Sequence, residues 1–321
     1  MRFGILSTAN IARKRVIPAI QHTDASVIAI ASRDTDRASA VADELDIPRA
    51  YGSYEALLDD GDIDAVYNPL PNSMHAEWTR RAADRGLDIL CEKPLGADAA
   101  EASAMTAYCE DRGVTLMEAF MYRYHPRTRR AMEIARDELG EITHVDARFH
   151  FSLPEGYNIR LDPDLAGGSL MDVGCYAVTA VRGFLGEPIS AYATASDRRD
   201  CGVETRLTGV LTYPEGRSAT ISSGFDESIH RYTVIGTDGT LTVDRAFVPD
   251  GATELQYTID GRRVTERFDP VDQYELEVEA FIEAVEAGTA PETDGHEAVR
   301  TLRVIDALYE SVRQHKPVAL E

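Results

Sequence analysis

Gly4-Ile-Leu-Ser-Thr-Ala-Asn-Ile-Ala12 follows directly on the short apolar run Arg2–Leu6 and opens a segment, Ala9–Gln21, with Ile11, Val16 and Ile20 at mixed helical spacing. A strand that turns straight into a helix is what a dinucleotide site requires. It needs a tight turn, close backbone approach to a pyrophosphate, and a helix N-terminus aimed at it. The usual pattern is G-x-G-x-x-G/A, and Ser7 and Ala9 stand where glycines are expected. The turn therefore reads either as a degraded dinucleotide loop, with Ser7, Thr8, Ala9, Asn10 and Ile11 at the ligand, or as an ordinary strand–turn–helix joint.

The residues around the turn extend the pattern. Val27–Ala31 is apolar and β-rich, and Asp34–Leu45 carries Ala38, Val41, Ala42 and Leu45 on one side. Ala65–Asn68, Ile89–Cys91 and Val114–Ala119 read as strands, separated by helices over Ser73–Arg85 and Asp98–Arg112. Strands alternating with helices of this length build βαβ units and a parallel sheet. After Tyr122 the pattern changes. A helix over Pro126–Glu138 precedes alternating runs, among them Thr143–Phe151, Thr205–Thr212, Ser218–Gly224 and Leu255–Ile259, with turn signals at Tyr213–Arg217 and Asp260–Arg262. A mostly antiparallel sheet is expected there, interrupted by a helix over Ser169–Leu185 and closed by helices over Gln273–Ala287 and Glu297–His315. At ~100–200 residues per domain, 321 residues suggest two domains or one large one. The expected division is 1–121, a doubly wound Rossmann-type unit, and 122–321, an α/β unit with an open, mostly antiparallel sheet.

Charge narrows the partners. Fifty-five acidic residues against thirty-three basic ones give −22, and only Lys14, Lys93 and Lys316 are lysines. Such a surface repels phosphate backbones and anionic headgroups, so nucleic acid and membrane are not expected partners. The composition resembles that of proteins from salt-loving archaea. A moderately acidic protein from a GC-rich genome is the alternative, because high GC alone favours Arg over Lys. Cys91, Cys109, Cys175 and Cys201 form no C-x-x-C pair. No apolar run approaches ~18 residues, and a cytoplasmic location is expected. His75, His125, His144 and His150 show no metal-ligand spacing with a carboxylate, so no metal is expected.

Several residues carry chemistry. Ser32, Arg33 and Asp34 close the second strand, and Arg37 follows one helical turn later. An arginine at that strand end suits the 2′-phosphate of NADP, whereas an acid suits the 2′-hydroxyl of NAD. The arginines favour NADP, with Asp34 as a helix N-cap and NAD as the weaker alternative. Two solvated surface arginines are the bland reading. Asn68-Pro-Leu-Pro-Asn72 makes a rigid strand end, followed by His75. Cys91-Glu-Lys-Pro94 ends a central strand with one of the three lysines, and an ammonium there offers a tunable point charge that arginine cannot supply. A Lys93–Glu92 surface pair is the alternative. Gly167-Gly-Ser-Leu-Met-Asp-Val-Gly-Cys-Tyr176 places Asp172 and Tyr176 at i and i+4, one helix face if the helix is regular. A proton-transferring tyrosine needs its pKa lowered by a nearby cation, for which Lys93 is the candidate. Core packing of Tyr176 and capping by Asp172 would explain the same residues.

Taken together, the first third, Glu92-Lys-Pro94, the Pro-Leu-Pro-Asn strand end and the Gly-Gly-x-x-x-Asp-x-Gly-x-Tyr motif resemble the Gfo/Idh/MocA oxidoreductase family over essentially the whole chain. Glu118–Pro126 and Tyr157–Asp162 resemble stretches of its sugar-dehydrogenase branch. The resemblance implies NADP at Ser7–Ile11, Ser32, Arg33, Arg37, Pro69, Leu70, Asn72, His75, Glu92 and Lys93. It implies Lys93, Tyr176 and Asp172 as catalytic residues, and Arg123, Asn158, Arg160, Asp172 and Tyr176 around a sugar. Many members carry His where this chain has Tyr176. That departure points to the branch of glucose-fructose oxidoreductase, dimeric dihydrodiol dehydrogenase and D-xylose dehydrogenase, and away from inositol dehydrogenase. The implied activity is NADP-dependent oxidation of an aldose, D-xylose or a similar pentose, at C1. A homo-oligomer, dimer or tetramer, through the C-terminal sheet is also expected. A dehydrogenase of another sugar or diol, or a non-catalytic NADP sensor, remains as an alternative. A sensor has no need to keep Lys93 together with Tyr176.

Overall fold

The computed structural model describes residues 1–320. They divide into two compact units, 1–121 with 272–299, and 122–271 with 300–320. In the first, β1 (Arg2–Ile5), β2 (Ser26–Ala31), β3 (Arg49–Tyr51), β4 (Ala65–Asn68), β5 (Asp88–Glu92) and β6 (Leu116–Ala119) form one sheet in the order β3-β2-β1-β4-β5-β6. Every pairing is parallel. The central strands are buried on both faces, β4 throughout its length, which is why they read as unbroken apolar runs. The helices begin at capping residues. Asp34 accepts the backbone N–H of Arg37 at the start of α2 (Thr35–Glu44), after α1 (Ile17–His22). Asp98 does the same for Glu101 at the start of α5 (Ala99–Glu110), with α3 (Tyr54–Leu58) and α4 (His75–Ala83) between them. Strand order reverses between β1 and β4, so the ligand crevice of such a sheet lies past their carboxyl ends. The Ser7–Ile11 turn, Asn68–Asn72 and Lys93 all sit at carboxyl ends of strands.

Two short elements escaped the sequence reading. β3 is three half-buried residues, Arg-Ala-Tyr, with no periodicity to find, and α3 spans little more than one turn. The expected division also needs correction. Asp272–Val299 belongs with the first unit, not the second. The cause is α8 (Gln273–Ala287). It buries Tyr274, Val278, Phe281 and Ala284 and packs against α1, with the Phe281 ring 5.8 Å from that of Phe3 in β1. Amphipathic spacing reveals that a helix has a buried face but not which sheet it covers.

The second unit is a nine-stranded sheet. Its strands are β7 (Ile142–His150), β8 (Ser190–Ser196), β9 (Arg206–Thr212), β10 (Ser218–Gly224), β11 (Ile229–Gly236), β12 (Gly239–Asp244), β13 (Thr253–Ile259), β14 (Arg262–Phe268) and β15 (Val318–Ala319). The order is β14-β13-β12-β11-β7-β10-β9-β8-β15, with only β7 and β10 parallel. One face lies against α6 (Pro126–Asp137) and α7 (Cys175–Leu185). The other bears rows of threonine with Tyr192, Val210 and Ile235 partly exposed, following the period-2 alternation of the strands. The last helix, α9 (Gly295–Gln314), buries Leu302, Ile305 and Leu308.

Candidate active site

In the first unit the turn after β1 bends at Ser7, which takes a positive φ of 155°. Its Oγ accepts the backbone N–H of Ala9 at 3.0 Å. A side-chain hydrogen bond thus shapes a turn that glycine would otherwise make freely. The chain enters a π-helical turn, Ala12–Val16, before α1 begins. At the end of β2, Ser32 is buried and its Oγ accepts the N–H of Asp34 at 3.2 Å. Arg33 and Arg37 are exposed, and both guanidinium groups act on the phenol of Tyr54, which burial otherwise pushes up. Among the described residues neither pairs with a carboxylate. Two arginines beside one hydroxyl, without counter-ions in a chain of net charge −22, suit a ligand phosphate. Tyr54 was not foreseen, because no spacing links residue 54 to the end of β2.

Lys93 is fixed at its backbone. Its N–H donates to Glu92 Oε2 at 3.3 Å, and Glu92 Oε1 accepts the Tyr67 hydroxyl at 2.6 Å. The peptide to Pro94 is cis, and Glu118 Oε1 receives the N–H of Leu95 at 2.8 Å. His75 requires a correction. It is fully buried, and its ring nitrogens face the carbonyl oxygens of Pro94 (3.0 Å) and Leu70 (2.8 Å). It joins the ends of β4 and β5 and has no nitrogen left for a cofactor.

In the second unit Asp172 lies in a π-helical turn, Leu170–Gly174, and Tyr176 in the first turn of α7. The regular i,i+4 face expected from the sequence is therefore replaced by a wider turn, of a kind frequent at functional sites. Asp172 Oδ2 accepts from Arg160 Nε at 2.7 Å, and Asn158 Oδ1 accepts the N–H of Arg160 at 3.1 Å. Asn158, Arg160 and Asp172 are thus one linked group. Arg123 lines a narrow cleft with Tyr122, Met132 and Thr179. The Tyr176 ring packs among Tyr122 (5.7 Å), Phe149 (5.2 Å, edge-on) and Phe247 (5.5 Å), which fixes its direction. The paired glycines have a steric cause. Gly168 has φ +117°, and a Cβ there would fall 2.6 Å from the Glu204 carboxyl. That carboxyl receives the N–H of Leu170 (2.7 Å) and the hydroxyl of Tyr309 (3.2 Å). Glu204 anchors the Asp172 turn from a distant loop, and no sequence signal marks it.

These buried groups set a pH dependence. Burial lowers His75, His125 and His230 to about 4. A protonated His75 could donate to both of its carbonyls, but burial outweighs that gain. His125 and His230 use a ring nitrogen as acceptor for backbone N–H groups, which protonation would remove. The unfolded chain takes these protons near ~6.5. Stability from neutral histidine is therefore full above that pH and lost as pH falls towards 4, on the order of 2–3 kcal/mol for His75. Glu204, pushed up to about 7 by burial, runs the other way. Its contribution is full below the ordinary glutamate pKa and is lost as pH rises through 7. Thermal midpoints in 2 M KCl, where carboxylate repulsion is screened, should peak between ~pH 6 and 7. Glu204→Gln should make the alkaline limb shallower, while Glu277, also pushed up by burial, keeps part of it. A midpoint at pH 4.5 equal to that at pH 6.5 would refute the histidine account.

Two family models match the chain: the NAD-binding Rossmann fold of the GFO/IDH/MocA oxidoreductases over residues 1–120, and the C-terminal alpha/beta domain of the same group over 132–320. The chain is 58% identical to D-xylose 1-dehydrogenase (NADP(+)) 2 of Haloferax volcanii, over the full length of both. Among solved structures, it resembles an aldose-aldose oxidoreductase from Caulobacter crescentus complexed with glycerol, with TM-score 0.93, 29% identity, and 100% and 99% of the two chains covered. A 3-ketoreductase from Actinomadura kijaniata, solved with NADP and TDP-benzene, gives TM-score 0.91 and 31% identity over 97% of each chain.

Proposed function

The chain belongs to the Gfo/Idh/MocA oxidoreductase family, and from that premise we propose that it is an NADP-dependent aldose 1-dehydrogenase, oxidising D-xylose or a similar pentose to the lactone. The observation that carries this reading is the full-length similarity to a D-xylose 1-dehydrogenase at 58% identity. When bound, NADP⁺ supplies the hydride acceptor. The turn Ser7–Ile11 would hold its pyrophosphate, and Arg33 and Arg37 its 2′-phosphate. Ser32, Pro69, Leu70, Asn72 and Glu92 complete the proposed cofactor set at the strand ends.

Tyr176 takes the proton of the C1 hydroxyl. Lys93 lowers the pKa of that tyrosine and hydrogen-bonds the reacting oxygen. Asp172, steadied by Arg160, orients the sugar, with Asn158 and Arg123 as further sugar contacts. Among the described residues no helix is long and apolar enough to cross a membrane. We place the enzyme in the cytoplasm, as a homo-oligomer formed through the threonine-rich face of the nine-stranded sheet.

The test is a panel of sugars and a dihydrodiol with NADP⁺ or NAD⁺ in molar KCl, followed at the nicotinamide absorbance band. D-xylose with NADP⁺ should give the highest kcat/KM, and turnover of the dihydrodiol alone would replace this reading. Arg33→Ala should weaken NADP⁺ far more than NAD⁺, because a charge-assisted phosphate contact is worth about 1.5–3 kcal/mol, some ten- to hundredfold. Equal losses for both cofactors would remove Arg33 from phosphate recognition.

A further inference from the structure

The second unit holds an open cavity of about 1030 Å³, above the usual range of small-ligand pockets and far more than a single pentose needs. One wall is the segment Ser152–Pro163 after β7, the other is Arg198–Thr205 between β8 and β9, and Phe225 and Asp226 form the floor. Both walls are tied to the turn that carries Asp172. From the first, Arg160 reaches Asp172 itself at 2.7 Å. From the second, Glu204 receives the N–H of Leu170 on its carboxyl (2.7 Å) and that of Ser169 on its carbonyl (2.9 Å). The segments that wall the cavity are therefore hydrogen-bonded to the turn that carries the residue assigned to orient the sugar.

The walls are also fastened to each other. Arg199 donates to the carbonyls of Leu153 (2.5 Å), Pro154 (3.1 Å) and Phe225 (3.4 Å), bridging both loops and the floor. The lining chemistry narrows the ligand. Tyr157 presents a ring that is 83% exposed, a flat apolar face carrying a polar tip. Asn158, Asp162, Arg198 and Asp226 supply planar polar groups. Arg198 and Arg199 are matched against three carboxylates, Glu155, Asp162 and Asp226, and Arg198 and Arg206 both reach Asp226. The arginines are thus already engaged, by Asp226 and by backbone carbonyls, and the lining offers no uncommitted cation for a phosphorylated or nucleotide-linked sugar. A neutral pyranose, with one C–H face for an aromatic ring and equatorial hydroxyls for planar amides and carboxylates, fits it.

We propose that this cavity is a subsite for a second, neutral sugar unit, so that the reducing end of a short xylo-oligosaccharide is a substrate. The inference rests on the aldose 1-dehydrogenase reading and extends it. The chemistry stays at C1 of the reducing residue. Its hydride goes to NADP⁺, its hydroxyl proton to the enzyme, and the glycosidic bond is untouched.

The experiment compares kcat/KM for D-xylose, xylobiose and glucose 6-phosphate, with NADP⁺ in molar KCl, for the native chain and for Tyr157→Ala. Xylobiose should match or exceed xylose. Tyr157→Ala should lower kcat/KM for xylobiose about tenfold through a higher KM and leave xylose within twofold. Oxidation of xylose with xylobiose at a tenth or less overturns the subsite and leaves the dehydrogenase reading standing. An equal loss on both sugars in the variant, or glucose 6-phosphate preferred to xylobiose, also overturns it. Oxidation of none of the three overturns both.

Discussion

Lys93→Arg is expected to reduce kcat at least ~10²-fold while the Kd for NADP⁺ stays within a few-fold. Net charge is unchanged by this substitution, so any loss must come from the shape and acidity of the cation. An ammonium is a compact point charge whose proton affinity the surroundings can tune; a guanidinium is a flat, delocalised fork that stays protonated. The surroundings of Lys93 leave little room to adjust. Its backbone N–H is held by Glu92, which is held by the buried Tyr67, and the next residues are pinned through Pro94 to His75 and through Leu95 to Glu118. The strand end cannot shift to re-aim a longer side chain. Binding of NADP⁺ depends mainly on the Ser7–Ile11 turn and the arginines past β2, which the substitution does not touch. Tyr176→Phe provides the second arm, with a comparable loss of kcat. In the Lys93→Arg background it should cost much less than in the native chain, because two groups acting on one proton are not additive. Near-native turnover in Lys93→Arg would remove the lysine from the mechanism.

The parts of the fold legible in the sequence are those where one physical cause dominates locally. Apolar runs ending at Leu6, Ala31, Asn68 and Cys91 mark strands buried on both faces, and Asp34 and Asp98 mark helix starts, because capping is a nearest-neighbour effect. The return of α8 to the first unit was not legible, since its partner Phe3 lies far away in sequence. The site shows the same division. Lys93 stands out in a chain of three lysines because composition makes it rare. His75 misled for the complementary reason: it sits at a ligand-facing strand end, yet both ring nitrogens are taken by carbonyls. Glu204 and Arg199 escaped because their partners lie far away in sequence and are mostly backbone groups, and hydrogen bonds to the main chain leave no residue-type pattern.

Dialysis into low salt is expected to unfold or inactivate the protein, and molar KCl to protect it. The net charge of −22 is spread over both units. Arginines are already committed locally: Arg2 to Asp62 and Asp64, Arg49 to Asp60 and Asp62, Arg130 to Glu133, Glu138 and Glu266. Such exposed pairs contribute little each, a median of ~0–1 kcal/mol, and they leave the excess carboxylates unneutralised. Folding draws those carboxylates together, so the folded state bears more repulsion than the unfolded chain. The Debye length is ~30 Å at 0.01 M salt, which spans much of a unit of this size, and ~3 Å at 1 M, which confines each charge to its neighbours. Native stability is only ~5–15 kcal/mol, so a small repulsion at each of many sites is enough to exhaust it. Screening should be nearly complete below ~1 M, since the Debye length is already ~8 Å at 0.15 M. A thermal midpoint that keeps rising beyond 1 M would therefore report a second effect, bound cations or the salting-out of apolar surface. Potassium sulfate separates the two, because it excludes itself from apolar surface more strongly than chloride at the same potassium concentration. The measurement is the thermal midpoint of the ligand-free chain across a KCl series from ~0.05 to 2 M. A flat or falling midpoint over that range would show that the acidic surface serves some purpose other than stability in salt.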